Sequence, residues 1–193
     1  MNRHTLLLIG SILTLDLSLS RSAAAQPALL PVYVTLRNQM GLSADVMAGA
    51  RAEVSRVYKT IAVELIWTGA APAAGDRYLS VSIVSEGMAS WLKAPQSALG
   101  TAFVGDGHAY VMFERVERLA RTSRTWGHGI AITLGITIAH EIGHLLLNST
   151  AHGATGLMTA VWGGTASQMA ASGKLLFTPR EADLIRVGLA GRR

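Results

Sequence analysis

Five consecutive residues, His140-Glu141-Ile142-Gly143-His144, place three ionisable side chains close together in the chain. Residues four apart lie on one face of a helix, so both imidazoles can point toward one metal ion. Glu141 is offset by one position, which keeps its carboxylate off the metal but within reach of a water molecule beside it. Zinc acidifies such a water, and a nearby carboxylate can take its proton as the water attacks a carbonyl carbon. The pattern therefore indicates zinc-dependent hydrolysis, with His140 and His144 as ligands and Glu141 as general base.

The surroundings of this motif favour a metal site over a polar cluster buried for structural reasons. Residues 129–139 carry no Asp, Glu, Lys or Arg, so the motif continues an apolar helix. Three ionisable side chains within five residues of such a helix are costly to bury unless they have partners.

A catalytic zinc takes a third protein ligand and keeps a fourth position open. His152 is the nearest candidate, eight residues after His144. The helix must end for His152 to return to the metal, and Asn148 can adopt the left-handed conformation that ends helices. A carboxylate of the last helix, from Glu181 or Asp183, is the alternative. The chain has no cysteine, so thiolate ligands are excluded.

Alternating and helical patterns predict the elements that must position these residues. Five strands are expected, at Pro31–Gln39, Val63–Trp67, Tyr78–Val84, Gly100–Val104 and His108–Phe113. Three helices are expected, from Ser43 as N-cap to about Ala62, over Ile130–Leu147, and over Pro179–Leu189 with Thr178 as N-cap. Residues 88–99, the stretch after the fifth strand and the stretch after the long helix are expected to be irregular. The pattern predicts one α+β domain with a helical C-terminal part.

Composition and the N-terminus indicate an exported globular protein. Half of the 193 residues are hydrophobic and 15% are charged, which argues against disorder. Residues 1–25 have the layout of a signal peptide, with Arg3, an apolar run from Leu6 to Leu19, and small residues before Gln26. We therefore expect a catalytic domain over 26–193, located in the periplasm or secreted.

Two kinds of partner are not expected. The net charge is +5, and the basic residues are scattered apart from a run that also contains Glu114 and Glu117. That run consists of Arg115, Arg118, Arg121 and Arg124. Because no aromatic residues are interleaved for base stacking, we interpret it as a solvated helix face and expect no nucleic acid. The apolar segment Ile130–Leu147 raises the possibility of an intramembrane protease, but no other internal segment is long and apolar enough to span a bilayer. No stable membrane insertion is expected after signal removal.

The site-bearing segment resembles the metzincin clan of zinc endopeptidases, whose motif is H-E-x-x-H-x-x-G-x-x-H followed by a methionine-containing turn. His140, His144 and His152 correspond to the three ligands, Glu141 to the base, and Met158 in Gly156-Leu157-Met158 to the turn methionine. The order of elements over most of 31–189 is also similar to that of small bacterial members, including an Ala-Tyr-Val strand before the active-site helix. Two departures are clear: Leu147 stands where the family has glycine, and the third histidine comes two residues late.

The resemblance implies a metzincin-like fold, with a mixed sheet, one crossing helix, an active-site helix, a Met-turn and a C-terminal helix. It also implies Zn2+ as cofactor and a peptide substrate bound in extended form along the edge strand Gly100–Val104. Two other interpretations stay open. One is a gluzincin-like peptidase that uses Glu181 as third ligand, and the other is a non-catalytic exported binding domain that keeps zinc only for stability.

Overall fold

The computed structural model describes residues 29–70, 77–122 and 129–191. The predicted signal peptide, residues 1–25, lies outside the described residues. Within them the chain forms five strands and six helices, and the predicted α+β class is confirmed.

The strands are joined in one mixed sheet with the order β2-β1-β3-β5-β4. Their bounds are β1 Leu30–Asn38, β2 Val63–Trp67, β3 Tyr78–Val84, β4 Gly100–Phe103 and β5 His108–Met112. All neighbours are parallel except β4, which forms an antiparallel hairpin with β5 at one edge. The Gly105-Asp106-Gly107 turn joins this hairpin, as its sequence predicts.

Six helices complete the described fold. They are α1 Ala44–Lys59, α2 Glu86–Trp91, α3 Phe113–Thr122, α4 Ile130–Leu147, α5 Gly164–Ala171 and α6 Pro179–Ala190. Two of them begin at the predicted caps: the Ser43 hydroxyl accepts from the Val46 amide, and Thr178 with Glu181 forms a capping box. The helix α1 connects β1 to the parallel strand β2, as a crossover must.

The helix α4 forms the centre of the core. Its residues from Thr133 to Leu146 are all buried, and it packs against α1, α3, α6 and the sheet. It is also the one described helix that is long and apolar enough to cross a membrane, but 78% of that segment is buried inside the fold. Its apolar composition is therefore accounted for by contacts within the protein.

The helices α1 and α4 approach so closely that glycine is required at the contact. A Cβ atom on Gly135 would lie 2.8 Å from the Ala50 carbonyl oxygen, and one on Gly49 would lie 2.9 Å from the Ala131 Cβ. The fully buried Tyr58 of α1 adds a polar link, because its hydroxyl donates to the Ala139 carbonyl oxygen at 2.9 Å. The residue before His140 is thus tied to the crossing helix.

Two helices, α2 and α5, lie in segments predicted to be irregular. The helix α3 covers most of the arginine run that was interpreted as a helix face, although its bounds were not predicted. The solvated-face interpretation is wrong for Arg115, which is only 5% exposed on α3. The reason is an ion pair with Glu86, a residue 29 positions away, which local pattern cannot reveal.

We expect Tyr58→Phe to lower the free energy of unfolding by about 1 kcal/mol, because the variant loses one buried hydrogen bond while the ring packing remains. Chemical denaturation of both proteins measures this difference. Tyr33→Phe is the matched control, since the Tyr33 side chain on β1 is only half-buried, and we expect a change within about 0.5 kcal/mol. Equal effects of the two substitutions would contradict the role assigned to Tyr58.

Candidate metal centre

The helix α4 presents His140, Glu141 and His144 near its C-terminal end and then stops at Asn148. Asn148 has φ 50° and ψ 44°, the left-handed conformation predicted for it, and its amide donates to the His144 carbonyl oxygen. The chain then turns back, so that His152 comes close to the first two histidines. The ring centroid of His152 lies 5.3 Å from that of His140 and 4.8 Å from that of His144.

The three histidines form a group able to hold a metal ion. Their ligand atoms all lie within 4.8 Å of one another, and His140 and His144 are buried while His152 is exposed. The Nε2 atoms of His140 and His144 are 3.0 Å apart. Zinc–nitrogen bonds of about 2.0–2.1 Å in tetrahedral geometry place two ligand nitrogens roughly 3.3 Å apart, close to this separation.

Backbone carbonyls determine which nitrogen of each ring is free to bind. The Nδ1 atom of His140 lies 2.8 Å from the Leu157 carbonyl oxygen, and that of His144 lies 2.8 Å from the Ser149 carbonyl oxygen. A carbonyl oxygen only accepts, so each Nδ1 must carry a hydrogen and donate it. In a neutral imidazole the Nε2 atom then carries a lone pair, and two such lone pairs face each other across 3.0 Å.

A cation between the two Nε2 atoms would make this arrangement favourable. Protonation of one ring is not expected to provide that positive charge. Burial lowers the pKa of His140 to about 3 and also lowers the pKa of His144, so both rings are neutral near pH 7. Each ring has a fixed tautomer and an outer-sphere partner, which is the usual environment of histidine ligands. The residues present therefore fit a divalent metal ion, and an all-nitrogen, three-histidine set suits zinc.

Glu141 lies beside the histidines and against the edge strand. A Cβ atom on Gly100 would lie 2.5 Å from its Oε1 atom, so the glutamate side chain occupies the space that a β4 side chain would fill. Glu141 is 5% exposed, and burial raises its pKa to about 8. A divalent cation between the histidines opposes this shift, because nearby positive charge favours the carboxylate.

Met158 lies directly beneath the histidine motif. Its side chain is 1% exposed, and a Cβ atom on Gly143 would lie 2.6 Å from its sulfur. Any side chain at position 143 would therefore displace the methionine, so glycine fits best at this position. The neighbouring Leu157 supplies the carbonyl that orients His140. The segment containing Leu157 and Met158 thus contacts both His140 and the turn of α4 that carries the candidate ligands.

The carboxylates considered as alternative third ligands are engaged elsewhere. Glu181 accepts a hydrogen bond from the Thr178 amide at 2.8 Å as part of the capping box of α6. Asp183 pairs with Arg186 on the same helix and is largely exposed. Among the described residues, the group close enough to share a metal consists of His140, His144 and His152.

The three histidines and Glu141 open onto a cleft of about 590 Å³. Two segments form much of its lining, residues 95–102 and 159–162, together with Leu119 and Thr137 from the helices. Trp162 lines the cleft and also packs edge-to-face on His140, with ring centroids 5.4 Å apart. No sequence pattern connects this tryptophan with the site, and none identifies the orienting carbonyls, since any residue can supply one.

Comparison with known proteins does not assign this chain to a family. No protein-family model matches the chain, and no curated protein matches it. Fifteen chains of solved structures are similar to it, among them a zinc-dependent peptidase from Methanocorpusculum labreanum. That protein has 12% sequence identity and a TM-score of 0.49, with 82% of this chain and 99% of the other covered. At this degree of similarity the likeness carries no functional argument.

We expect the purified protein to bind one zinc ion, measured by elemental analysis and by competition with a chelator. His152→Ala should weaken binding by more than the roughly 10- to 100-fold that loss of an outer-sphere partner causes, because it removes a ligand. Glu181→Gln should leave zinc affinity unchanged, since glutamine can keep the capping box. Loss of zinc with Glu181→Gln and retention with His152→Ala would reverse the assignment of the third ligand.

Proposed function

We propose that this chain is an exported, metzincin-like zinc endopeptidase. The observation that carries the proposal is the pair of lone-pair-bearing Nε2 atoms of His140 and His144, 3.0 Å apart, with Glu141 beside them at an open cleft. A site built only for stability would need metal ligands but would have no need of a carboxylate beside them at the cleft.

His140, His144 and His152 are the residues that would hold zinc, and a set of three leaves one position for water or substrate. Zinc bound there supplies a Lewis acid that polarises a peptide carbonyl and makes a water molecule a stronger acid. The Nδ1–H groups of His140 and His144 keep both rings oriented through the carbonyls of Leu157 and Ser149. These two contacts fix the direction in which each Nε2 atom points.

Glu141 is the general base of the proposed reaction. Its carboxylate takes the proton of the attacking water and can pass it to the amine of the leaving peptide. Near pH 7 the carboxylate must be ionised to do so, and the positive charge of a bound metal favours that form. A bound metal therefore favours the form of Glu141 that can act as the base.

The strand β4 provides a place for an extended peptide. It lies at the end of the strand order and is paired with β5 on one side, which leaves its other edge available within the described part of the chain. A peptide added to that edge gains main-chain hydrogen bonds irrespective of its sequence. Gly100 of β4 is in contact with Glu141, so such a peptide would pass directly beside the base.

Two further observations support the metzincin-like form of the proposal. The chain after α4 turns back through left-handed Asn148 to deliver a third histidine, and Met158 underlies the ligands. Export is proposed from the layout of residues 1–25 alone. The competing function is an exported binding domain that uses zinc for stability. The presence of Glu141 favours the peptidase over the binding domain, because a structural zinc site needs no general base.

Glu141→Gln should reduce hydrolysis of an unstructured protein such as casein by roughly 10²–10⁴-fold, because it removes the proton acceptor. Zinc content should stay at one per chain. Glu117→Gln on α3 is the matched control and should have full activity, since Glu117 pairs with the exposed Arg121 one turn along the same helix. If the unmodified, zinc-loaded protein cleaves no peptide, the binding-domain alternative is favoured.

Gly100→Ala should lower kcat by up to about 10²-fold, because the added methyl group must push the Glu141 carboxylate aside. Zinc content and unfolding midpoint should change little, since the clashing atoms belong to a flexible side chain. Gly105→Ala in the same hairpin is the control, as a Cβ atom there meets nothing within 4 Å. Equal activities of the two variants would show that Glu141 is not confined by β4.

A further inference from the structure

Arg115 is a charged residue that the fold buries without using it at the metal centre. It lies on α3, where it is 5% exposed, whereas the side chain of Arg121 on the same helix is 67% exposed. Burying a guanidinium is costly unless its hydrogen-bonding groups are satisfied. The hydrogen-bond partners of Arg115 therefore indicate its role in the fold.

One side of the guanidinium is fixed by a carboxylate. Its Nε atom lies 2.9 Å from Oε2 of Glu86 and its Nη2 atom lies 2.6 Å from Oε1, which is a bidentate pair. The hydrogen bond from Arg115 holds the pKa of Glu86 below its usual range. Glu114 adds to this anchor, because its carboxylate accepts from the Glu86 amide at 3.0 Å.

The other side of the guanidinium is hydrogen-bonded to the wall of the cleft. Its Nη1 atom donates to the carbonyl oxygens of Pro95 and Ala98, at 2.5 and 2.8 Å. Residues 95–98 form a turn, which we call the rim turn, closed by the Ala98 amide on the Pro95 carbonyl. Both of these residues line the cleft, and the rim turn leads within two residues to Gly100, which contacts Glu141.

We propose that Arg115 is a positioning residue for substrate binding: by joining Glu86 to the rim turn, it fixes the wall of the cleft that leads into β4. This inference rests on the proposed peptidase function. Lysine cannot replace arginine here, because a single ammonium group cannot make a bidentate pair and reach two carbonyls at once. Substrate affinity should therefore depend on the shape of the side chain and not only on its charge.

The test compares Arg115→Lys with Arg121→Lys as the matched control, using a fluorogenic peptide cleaved by the wild-type, zinc-loaded protein. We expect Arg115→Lys to raise KM roughly tenfold, as loss of hydrogen bonds from a charged donor implies, with kcat and zinc content changed much less. Hydrogen–deuterium exchange should become faster in residues 92–101 and stay unchanged in α4. The control should match the wild type in all four measurements.

Glu86→Gln provides a second variant should Arg115→Lys fold poorly, since it keeps Arg115 in place and weakens only its anchor. The same selective rise in KM and in exchange, of smaller size, is expected. An active wild type with unchanged KM in both variants would overturn the positioning role, as would faster exchange spread over the whole protein. A zinc-loaded wild type that cleaves no peptide would instead overturn the proposed function, and the assignment to substrate positioning with it.

Discussion

The geometry of the candidate site depends on two backbone carbonyls that fix the protonation of two rings. Because the Leu157 and Ser149 oxygens can only accept, His140 and His144 must turn lone pairs toward each other at 3.0 Å in a buried place. Like partial charges at that distance are unfavourable unless a cation lies between them. The fit of the site to a metal ion thus depends on main-chain atoms of the segments that follow α4 as much as on the histidines themselves.

The rest of the fold keeps these segments and α4 in a fixed relation. The motif lies on a helix buried over fourteen consecutive residues, from Thr133 to Leu146, and Gly135 lets α1 cross it at close range. Beneath the motif, Gly143 leaves room for Met158. Interiors packed to this density transmit small displacements, so the position of the ligands depends on the core as a whole.

The cleft is built from parts that are less deeply packed than the metal centre. One of its lining segments contains Val161, which is 81% exposed, and Trp162, which contacts His140. The other contains the rim turn and β4, held by hydrogen bonds from Arg115 and by pairing with β5. The candidate ligands are therefore held by core packing, whereas these walls of the cleft are held by hydrogen bonds.

Local periodicity and local chemistry were sufficient to predict several features of the fold and the site. These are the five strands, the helix over Ile130–Leu147 with its two histidines on one face, the left-handed end at Asn148 and the Thr178 cap, because each depends on residues within a few positions. The burial of Arg115 was missed because its partner, Glu86, is 29 residues away. Likewise, only the fold brings His152 close to His140 and His144, while Glu181 caps α6. Contacts between distant residues and hydrogen bonds to main-chain carbonyls leave no local sequence pattern. The burial of Arg115 and the position of His152 are therefore seen only in the folded chain.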